Sequence, residues 1–210
     1  MIEVKCISVG SLGTNCYVVR DKFSGKAAVV DPGGVNSRLF TALDEMGREN
    51  IEYILLTHGH FDHIEGVNIL CEKYNPQVVI CEDEEVFLSD ENLNLSRMIS
   101  GSPFEPIYAD IKLKSGDVLA LGETEFKFIK TPGHTSGSGC YVFEKDRIIF
   151  TGDTLFRESM GRTDFPTGDL REMHKSLMLL KSFNGDYKVY PGHNADTTLE
   201  HERKNNIYMS

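Results

Sequence analysis

The sequence predicts an α/β fold arranged as a four-layer αββα sandwich. Three observations lead there. Short runs of β-branched and aromatic residues fall into two groups, one ending near Cys81 and one resuming at Ile111. Segments with apolar residues at helical spacing lie between and after those groups. The stretch Ile51–Thr57 is nearly continuously apolar, as expected of a strand covered on both faces. Two sheets packed inside a helical coat satisfy all three.

Taken in order, Ile2–Val9 reads as a strand, SLGTN as a turn, and Cys16–Arg20 as a second strand. Lys26–Val30 is a third, stopped by Asp31-Pro32-Gly33-Gly34, a cluster of turn formers. Leu39, Phe40, Leu43 and Met46 then recur at helical spacing, so a helix runs from Ser37 to about Gly47. The apolar strand at Ile51 leads directly into HGHFDH, and a helix is expected to follow through Leu70 and Cys71. Gln77–Cys81 is a strand and Glu82–Ile99 is expected to be helical. Beyond Ile111 come strands at Val118–Leu121, Glu125–Ile129, Gly139–Phe143 and Arg147–Phe150. A helix over Leu170–Ser182, a strand over Tyr187–Tyr190 and a short helix after Thr197 complete the reading. No internal repeat, low-complexity tract or linker interrupts it, so residues 1–210 are expected to form one domain.

At 210 residues the chain can bury roughly 70% of its unfolded surface, enough for a core without disulfides or a structural metal. Hydrophobic residues at 40% and charged residues at 26% exclude extended disorder. The 22 basic against 32 acidic residues argue against a nucleic-acid binder, which needs a concentrated basic surface. Cys6, Cys16, Cys71, Cys81 and Cys140 are an odd, scattered set without a C-x-x-C pair, so neither a disulfide framework nor a thiolate zinc site is expected. Most of them should be small buried hydrophobes. No leader of signal-peptide type is seen in MIEVKCISVG, and no apolar run approaches the roughly 18 residues of a membrane span. A cytoplasmic protein without membrane association is the default expectation; its oligomeric state stays open.

Of seven histidines, three lie in Thr57-His58-Gly59-His60-Phe61-Asp62-His63, just after the apolar strand, where strand-end loops of α/β folds build ligand sites. In an extended loop, residues two apart face the same side, so His58 and His60 can converge on one ion. Asp62 and His63, where the chain turns into a helix, can face a second. Three more candidates follow strand-like runs beside a glycine: His134 in TPGHT, Asp153 in TGDT and His193 in YPGH. Five imidazoles and two carboxylates with no thiolate suit two divalent ions sharing a carboxylate, each with an open position, rather than one closed structural zinc. Two such ions, two carboxylates and a bridging hydroxide leave net positive charge for a developing oxyanion. Donor softness does not select one metal: imidazole with carboxylate suits zinc, iron or manganese.

THGHFDH, TPGHTSG, TGDTLF and the late PGH resemble, in order and type, the motifs of the metallo-β-lactamase-fold hydrolases, a likeness running from about Asp31 to His193. The family fold is the αββα sandwich already reached. The resemblance implies a first metal set of His58, His60 and His134, a second of Asp62, His63 and His193, and Asp153 as the bridging ligand. The stretch GDTLFRESMGRTDFP at 152–166 is similar to the glyoxalase II-like branch, particularly its short bacterial members. It implies hydrolysis of a small thioester such as S-lactoylglutathione by metal-bound hydroxide, with Asp62 placed to orient the attacking group. Asp31 resembles a residue that supports the metal loop from behind. Arg162 stands where glyoxalase II carries a Lys that contacts a glutathione carboxylate, and an Arg can grip a carboxylate with two parallel hydrogen bonds. Thr57 can orient its loop or simply end a strand. His174 and His201 are expected on solvated helix faces and Cys140 in the core.

Other branches fit less well. Flavodiiron proteins carry a Glu at the position of His60, the nuclease members need an inserted domain, and true β-lactamases usually depart from this ligand pattern and are secreted. Two alternatives remain. A persulfide dioxygenase shares the fold and the GRTDF string and holds a single iron through the equivalents of His58, His134 and Asp153. A non-catalytic metal-binding domain would be expected to have lost some ligands. Seventeen residues follow His193, too few for the helical extension of full-length glyoxalase II, and Asn194 replaces the family's aromatic there. Glutathione contacts would then rest mainly on Arg162, with a high Michaelis constant and tolerance of other thiol carriers.

Overall fold

The computed structural model describes residues 1–100 and 104–210. Its first sheet runs in the order β1 (Ile2–Val9), β2 (Thr14–Asp21), β3 (Ala27–Val30), β4 (Ile51–Leu55), β5 (Gln77–Cys81), β6 (Ile111–Leu113). β1 to β3 pair antiparallel and β3 to β6 parallel. The parallel crossovers carry α1 (Ser37–Asp44), α2 (Phe61–Ile64) and α3 (Val67–Tyr74). The second sheet is built from β7 (Val118–Leu121), β8 (Thr124–Lys130), β9 (Gly139–Phe143), β10 (Ile148–Gly152), β13 (Lys188–Pro191) and β14 (Thr197–Thr198), in the order β14-β13-β10-β9-β8-β7. A small hairpin of β11 (Leu155–Phe156) and β12 (Ser159–Met160) leaves its rim, and α4 (Leu170–Lys181) and α5 (Leu199–Asn205) cover its outer face.

Alternation along each strand sorts the core into three slabs. Tyr17, Val19, Val30, Leu55 and Val79 of the first sheet meet Phe126, Phe128, Tyr141, Phe143 and Phe150 of the second. The opposite faces turn outward: Val18, Val29, Ile54 and Val78 pack under Leu39, Leu43, Val67 and Leu70. Cys140, Val142, Ile149 and Val189 pack under Met173, Leu177 and Leu180 of α4. Three slabs between four layers are the expected sandwich.

The predicted strands recur within a residue or two, and α4 is opened by Asp169, whose side chain accepts from the Arg171 and Glu172 amides. Three expectations need correction. Thr14 and Asn15 belong to β2 rather than to the turn. The helix expected after HGHFDH is two helices separated at Gly66, whose amide is bonded to the Pro32 carbonyl. Glu82–Ile99 is not one helix: a 3₁₀ stretch ends at Leu88 and a π-helical turn spans Ser96–Ser100. Between them Asp90 Oδ1 accepts the Asn92 and Leu93 amides, Asn94 Oδ1 accepts the Ser96 amide, and Leu95 takes a φ of 67°. These local side-chain bonds compete with the helix ladder and win. Of the cysteines, Cys16, Cys81 and Cys140 are buried, Cys71 is half-buried and Cys6 is exposed; all are free thiols. Among the described residues no helix is long and apolar enough to cross a membrane.

Candidate metal centre

The carboxyl-terminal ends of β3, β4 and β5 open on one edge of the first sheet. Those of β8, β10 and β13 open on the facing edge of the second, because β8 and β10 are both antiparallel to β9 and β10 is parallel to β13. The loop after β4 supplies His58, His60, Asp62 and His63. His134 follows β8, Asp153 follows β10 and His193 follows β13. The topology therefore brings all seven predicted ligands together between the sheets.

His58, His60 and His134 form one set. His60 Nδ1 lies 3.1 Å from His58 Nε2 and 2.9 Å from His134 Nε2. The remote nitrogens fix which lone pairs point inward. His134 Nδ1 lies 2.7 Å from the Arg162 carbonyl oxygen, which can only accept, so that nitrogen carries the proton and Nε2 is a free donor to a metal. Thr57 Oγ1 donates to Asp31 Oδ2 at 2.7 Å and accepts from His58 Nδ1 at 3.2 Å, which leaves His58 Nε2 unprotonated. The His60 ring stands edge-on between Phe87 and Phe165, with centroids 6.2 and 5.8 Å away.

Asp62, His63 and His193 form the second set. Asp62 Oδ2 is 3.2 Å from His193 Nε2 and 3.6 Å from His63 Nε2, and it accepts from Thr14 Oγ1 at 3.3 Å. His63 Nδ1 donates to Asp31 Oδ2 at 3.0 Å, so its Nε2 faces the centre. Asp153 lies between the sets: Oδ1 is 3.4 Å from His63 Nε2, while Oδ2 is 3.5 Å from His134 Nε2 and 3.8 Å from His193 Nε2. A Cβ on Gly192 would come within 2.3 Å of Asp153 Oδ1 and 2.7 Å of the His63 ring, so only glycine fits there.

Electrostatics suits cations. Burial, reinforced by neighbouring imidazoles, pushes His58 well below the ordinary histidine range, and burial beside His134 takes His60 down to about 3. Both rings are neutral donors near pH 7. Burial opposes a charge on His63, yet Asp62, Asp153 and Asp31 around it hold its pKa well above the ordinary value. Burial also works against Asp62 and Asp153, and the imidazoles, His63 first, still hold both carboxyls low. His63 Nε2 and Asp153 Oδ1, on the inner side of the centre, are buried without a hydrogen-bond partner among the described residues; His60 Nε2 is also unpaired but lies on the far side of its ring from His58 and His134. Inward lone pairs, unsatisfied buried atoms and concentrated carboxylate charge are what a pair of divalent ions would complete.

The remaining predicted site residues fall as follows. Asp31 sits behind the centre at a φ of 48°, accepting the Thr57 amide, the Thr57 hydroxyl and His63 Nδ1. Arg162 is on the rim, exposed, with its guanidinium bound through two contacts of 2.6 and 2.7 Å to Asp164 and stacked 3.9 Å over the Phe165 ring. Its carbonyl, not its side chain, touches a candidate ligand. His174 is exposed on α4, and His201 meets Glu158 Oε1 at 2.8 Å. Sequence reasoning missed Thr14 and Glu84. Glu84 is fully buried, and burial pushes its carboxyl up to about 7 against the pull of the Thr135 hydroxyl and the Gly59 and Gly137 amides. Its spacing to Phe87 and Leu88, both buried, is the signal that marked it as facing inward.

Comparison with known proteins agrees with this geometry. A family model described as the metallo-beta-lactamase superfamily matches residues 9–193. The hydroxyacylglutathione hydrolase GloC of Haemophilus influenzae is 28% identical over 100% of this chain and 99% of its own. Among solved structures, the BLEG-1 B3 metallo-beta-lactamase superposes with a TM-score of 0.91 at 33% identity, covering 100% of both chains. TTHA1623 in a di-iron-bound form superposes with a TM-score of 0.85 at 29% identity, covering 98% of this chain and 100% of that one.

Proposed function

The chain belongs to the metallo-beta-lactamase superfamily of metal-dependent hydrolases, and from that premise we propose that it hydrolyses small thioesters of the hydroxyacylglutathione type with two divalent ions. The observation that carries this reading is the pair of donor sets with Asp153 between them. Full-length similarity to a hydroxyacylglutathione hydrolase supports the substrate class. His58, His60 and His134 would hold one ion, Asp62, His63 and His193 the other, and Asp153 both. Zinc is the metal proposed; the di-iron form of a similar protein keeps iron in view.

When bound, the ions would polarise the substrate carbonyl and lower the pKa of a water, so that it attacks near neutral pH. The reaction consumes one water and yields a carboxylic acid and a thiol. Asp62, held through Oδ2 by Thr14 and His193, would orient the attacking water. Phe87 and Phe165 flank His60 and keep solvent from that side of the centre. Arg162 would take a substrate carboxylate by exchanging it for Asp164, one carboxylate for another, so little binding energy is gained. That exchange fits a high Michaelis constant for a glutathione thioester.

The test is elemental analysis of the isolated protein beside a thioester panel that includes S-lactoylglutathione. Two metals per chain with thioester turnover are expected. Absence of turnover on every thioester refutes the substrate. About one iron per chain, with oxygen uptake on glutathione persulfide, would establish the dioxygenase in its place.

A further inference from the structure

Glu84 lies in the 3₁₀ stretch that follows β5 and has no solvent exposure. Its carboxylate bridges two backbone segments far apart in sequence. Oε2 accepts the amide of Gly59, between His58 and His60, at 2.9 Å. Oε1 accepts the amide of Gly137, three residues beyond His134, at 2.7 Å. The Thr135 hydroxyl lies 2.6 Å from the Ser138 hydroxyl, and its proximity helps hold the Glu84 carboxyl down against burial. Close approach is built in on both sides. A Cβ on Gly137 would fall 2.7 Å from Glu84 Cγ, and one on Gly59 would fall 2.3 Å from Phe87 Cβ, one 3₁₀ turn further on. The chain beyond this stretch reaches the ligand loop again where the Asn94 carbonyl accepts the Phe61 amide at 2.8 Å.

A carboxyl buried this deeply is costly to keep unless its hydrogen bonds do something an apolar side chain cannot. Two amides pointing at one carboxylate are a planar fork that fixes the distance between their loops. One loop belongs to the first sheet and carries His58 and His60; the other belongs to the second and carries His134. We propose that Glu84 is a positioning residue that clamps the two loops together and so presets the spacing of the three imidazoles before a metal arrives. It touches no ligand side chain and acts only through the backbone beside them. A glutamine in its place offers one oxygen and one NH₂, so one of the two amides faces a donor and loses its bond. An aspartate keeps the charge but is one methylene too short to reach both.

The proposal rests on the metal-site reading and not on the thioester substrate. The experiment is a cobalt(II) titration of the metal-free protein, followed by absorption, on wild type, Glu84→Gln and Glu84→Asp, with melting temperatures recorded in parallel. Both variants should bind the His58–His60–His134 ion about tenfold or more weakly, as loss of a group that orients ligands typically does. The measurement that keeps this falsifiable if a variant does not fold is amide exchange in metal-free wild type. There the Gly59 and Gly137 amides should already be as protected as in the loaded protein. Wild-type cobalt affinity in a folded Glu84→Gln, or rapid exchange of those amides without metal, would overturn the clamp. A wild-type protein that binds no cobalt would instead overturn the metal-site reading.

Discussion

Replacing Asp31 by Asn tests how the second donor set is held. Asn tolerates a positive φ, so the backbone angle of 48° at this position is not what changes. The change is in hydrogen bonding. Asp31 Oδ1 accepts the Thr57 amide at 2.8 Å, while Oδ2 accepts the Thr57 hydroxyl at 2.7 Å and His63 Nδ1 at 3.0 Å. An amide has one oxygen for these two places. With its nitrogen at the Oδ2 place it meets the proton on His63 Nδ1, and the ring answers by moving that proton to Nε2, the atom that faces Asp62 and Asp153. The lone pair needed for a metal is then gone. With the nitrogen at the Oδ1 place, the Thr57 amide is left unsatisfied at the end of β4, directly before the ligand loop. Either way the ligand loop loses a supporting bond, at His63 or at Thr57 beside His58, and such a loss lowers metal affinity by about 10- to 100-fold, about 1.4–2.7 kcal/mol. The assay is zinc calorimetry under chelator competition, which separates the two binding steps. Asp31→Asn should weaken at least one of the two steps by that factor. Two wild-type steps in a folded Asp31→Asn protein would refute the reasoning.

Further outcomes follow from the same geometry. Gly192→Ala puts a methyl 2.3 Å from Asp153 Oδ1 and should reduce bound metal below two per chain by elemental analysis. Asp164→Ala frees the Arg162 guanidinium and should lower the Michaelis constant for a glutathione thioester by up to about fivefold, the scale of an exposed ion pair. Arg162→Ala should raise it; no change in either variant would remove Arg162 from substrate binding. Removing metal with a chelator should lower the melting temperature, because ions that bind only the folded chain stabilise it; an unchanged melting curve would contradict a centre that joins the sheets. Asp21 is buried, and against that burial four hydrogen bonds, from the Ser24 hydroxyl and the Glu123, Phe23 and Ser24 amides, hold its pKa at about 2. A lowered carboxyl pKa stabilises above the ordinary value near 4 and loses that stability as pH falls toward 2. Denaturation at pH 5 and pH 2 should therefore show Asp21→Asn losing less on acidification than wild type, by about 1–2 kcal/mol.

The ligands were legible because each is announced locally. His58 to His63 are contiguous, and His134, Asp153 and His193 each follow a strand-like run and a glycine, so chain topology had only to bring four loops to one edge. The layers were legible for a similar reason: alternation in β2, β8 and β9 writes both faces into the sequence. Glu84 was not, because it hides in CEDEEVFL, whose acidic composition reads as a solvated surface. Only its spacing to Phe87 and Leu88 betrays the buried face. Thr14 reads as part of a turn in the sequence because the Gly13 that precedes it masks where β2 begins. A single helix over Glu82–Ile99 fails at Asp90 and Asn94, whose side-chain oxygens accept the Asn92, Leu93 and Ser96 amides in place of the helix ladder. Arg162 was singled out for its side chain, but the contact it makes to His134 comes from its carbonyl, which any residue could supply.

The centre draws His58, His60, Asp62 and His63 from one sheet and His134, Asp153 and His193 from the other. Among the described residues, backbone bonds between the sheets include Gly139 to the Thr57 carbonyl and Asn15 to the Gly192 carbonyl. The separation of the sheets is set by the aromatic slab of Phe126, Phe128, Tyr141, Phe143 and Phe150. The candidate ligands therefore stand as the jaws of a caliper whose opening is adjusted from within the core. Shaving a ring from that slab lets the sheets settle or slide by fractions of an ångström, and the interior is too densely packed to absorb such a change locally. Metal affinity then becomes a ruler for a part of the molecule that no ion or substrate ever touches.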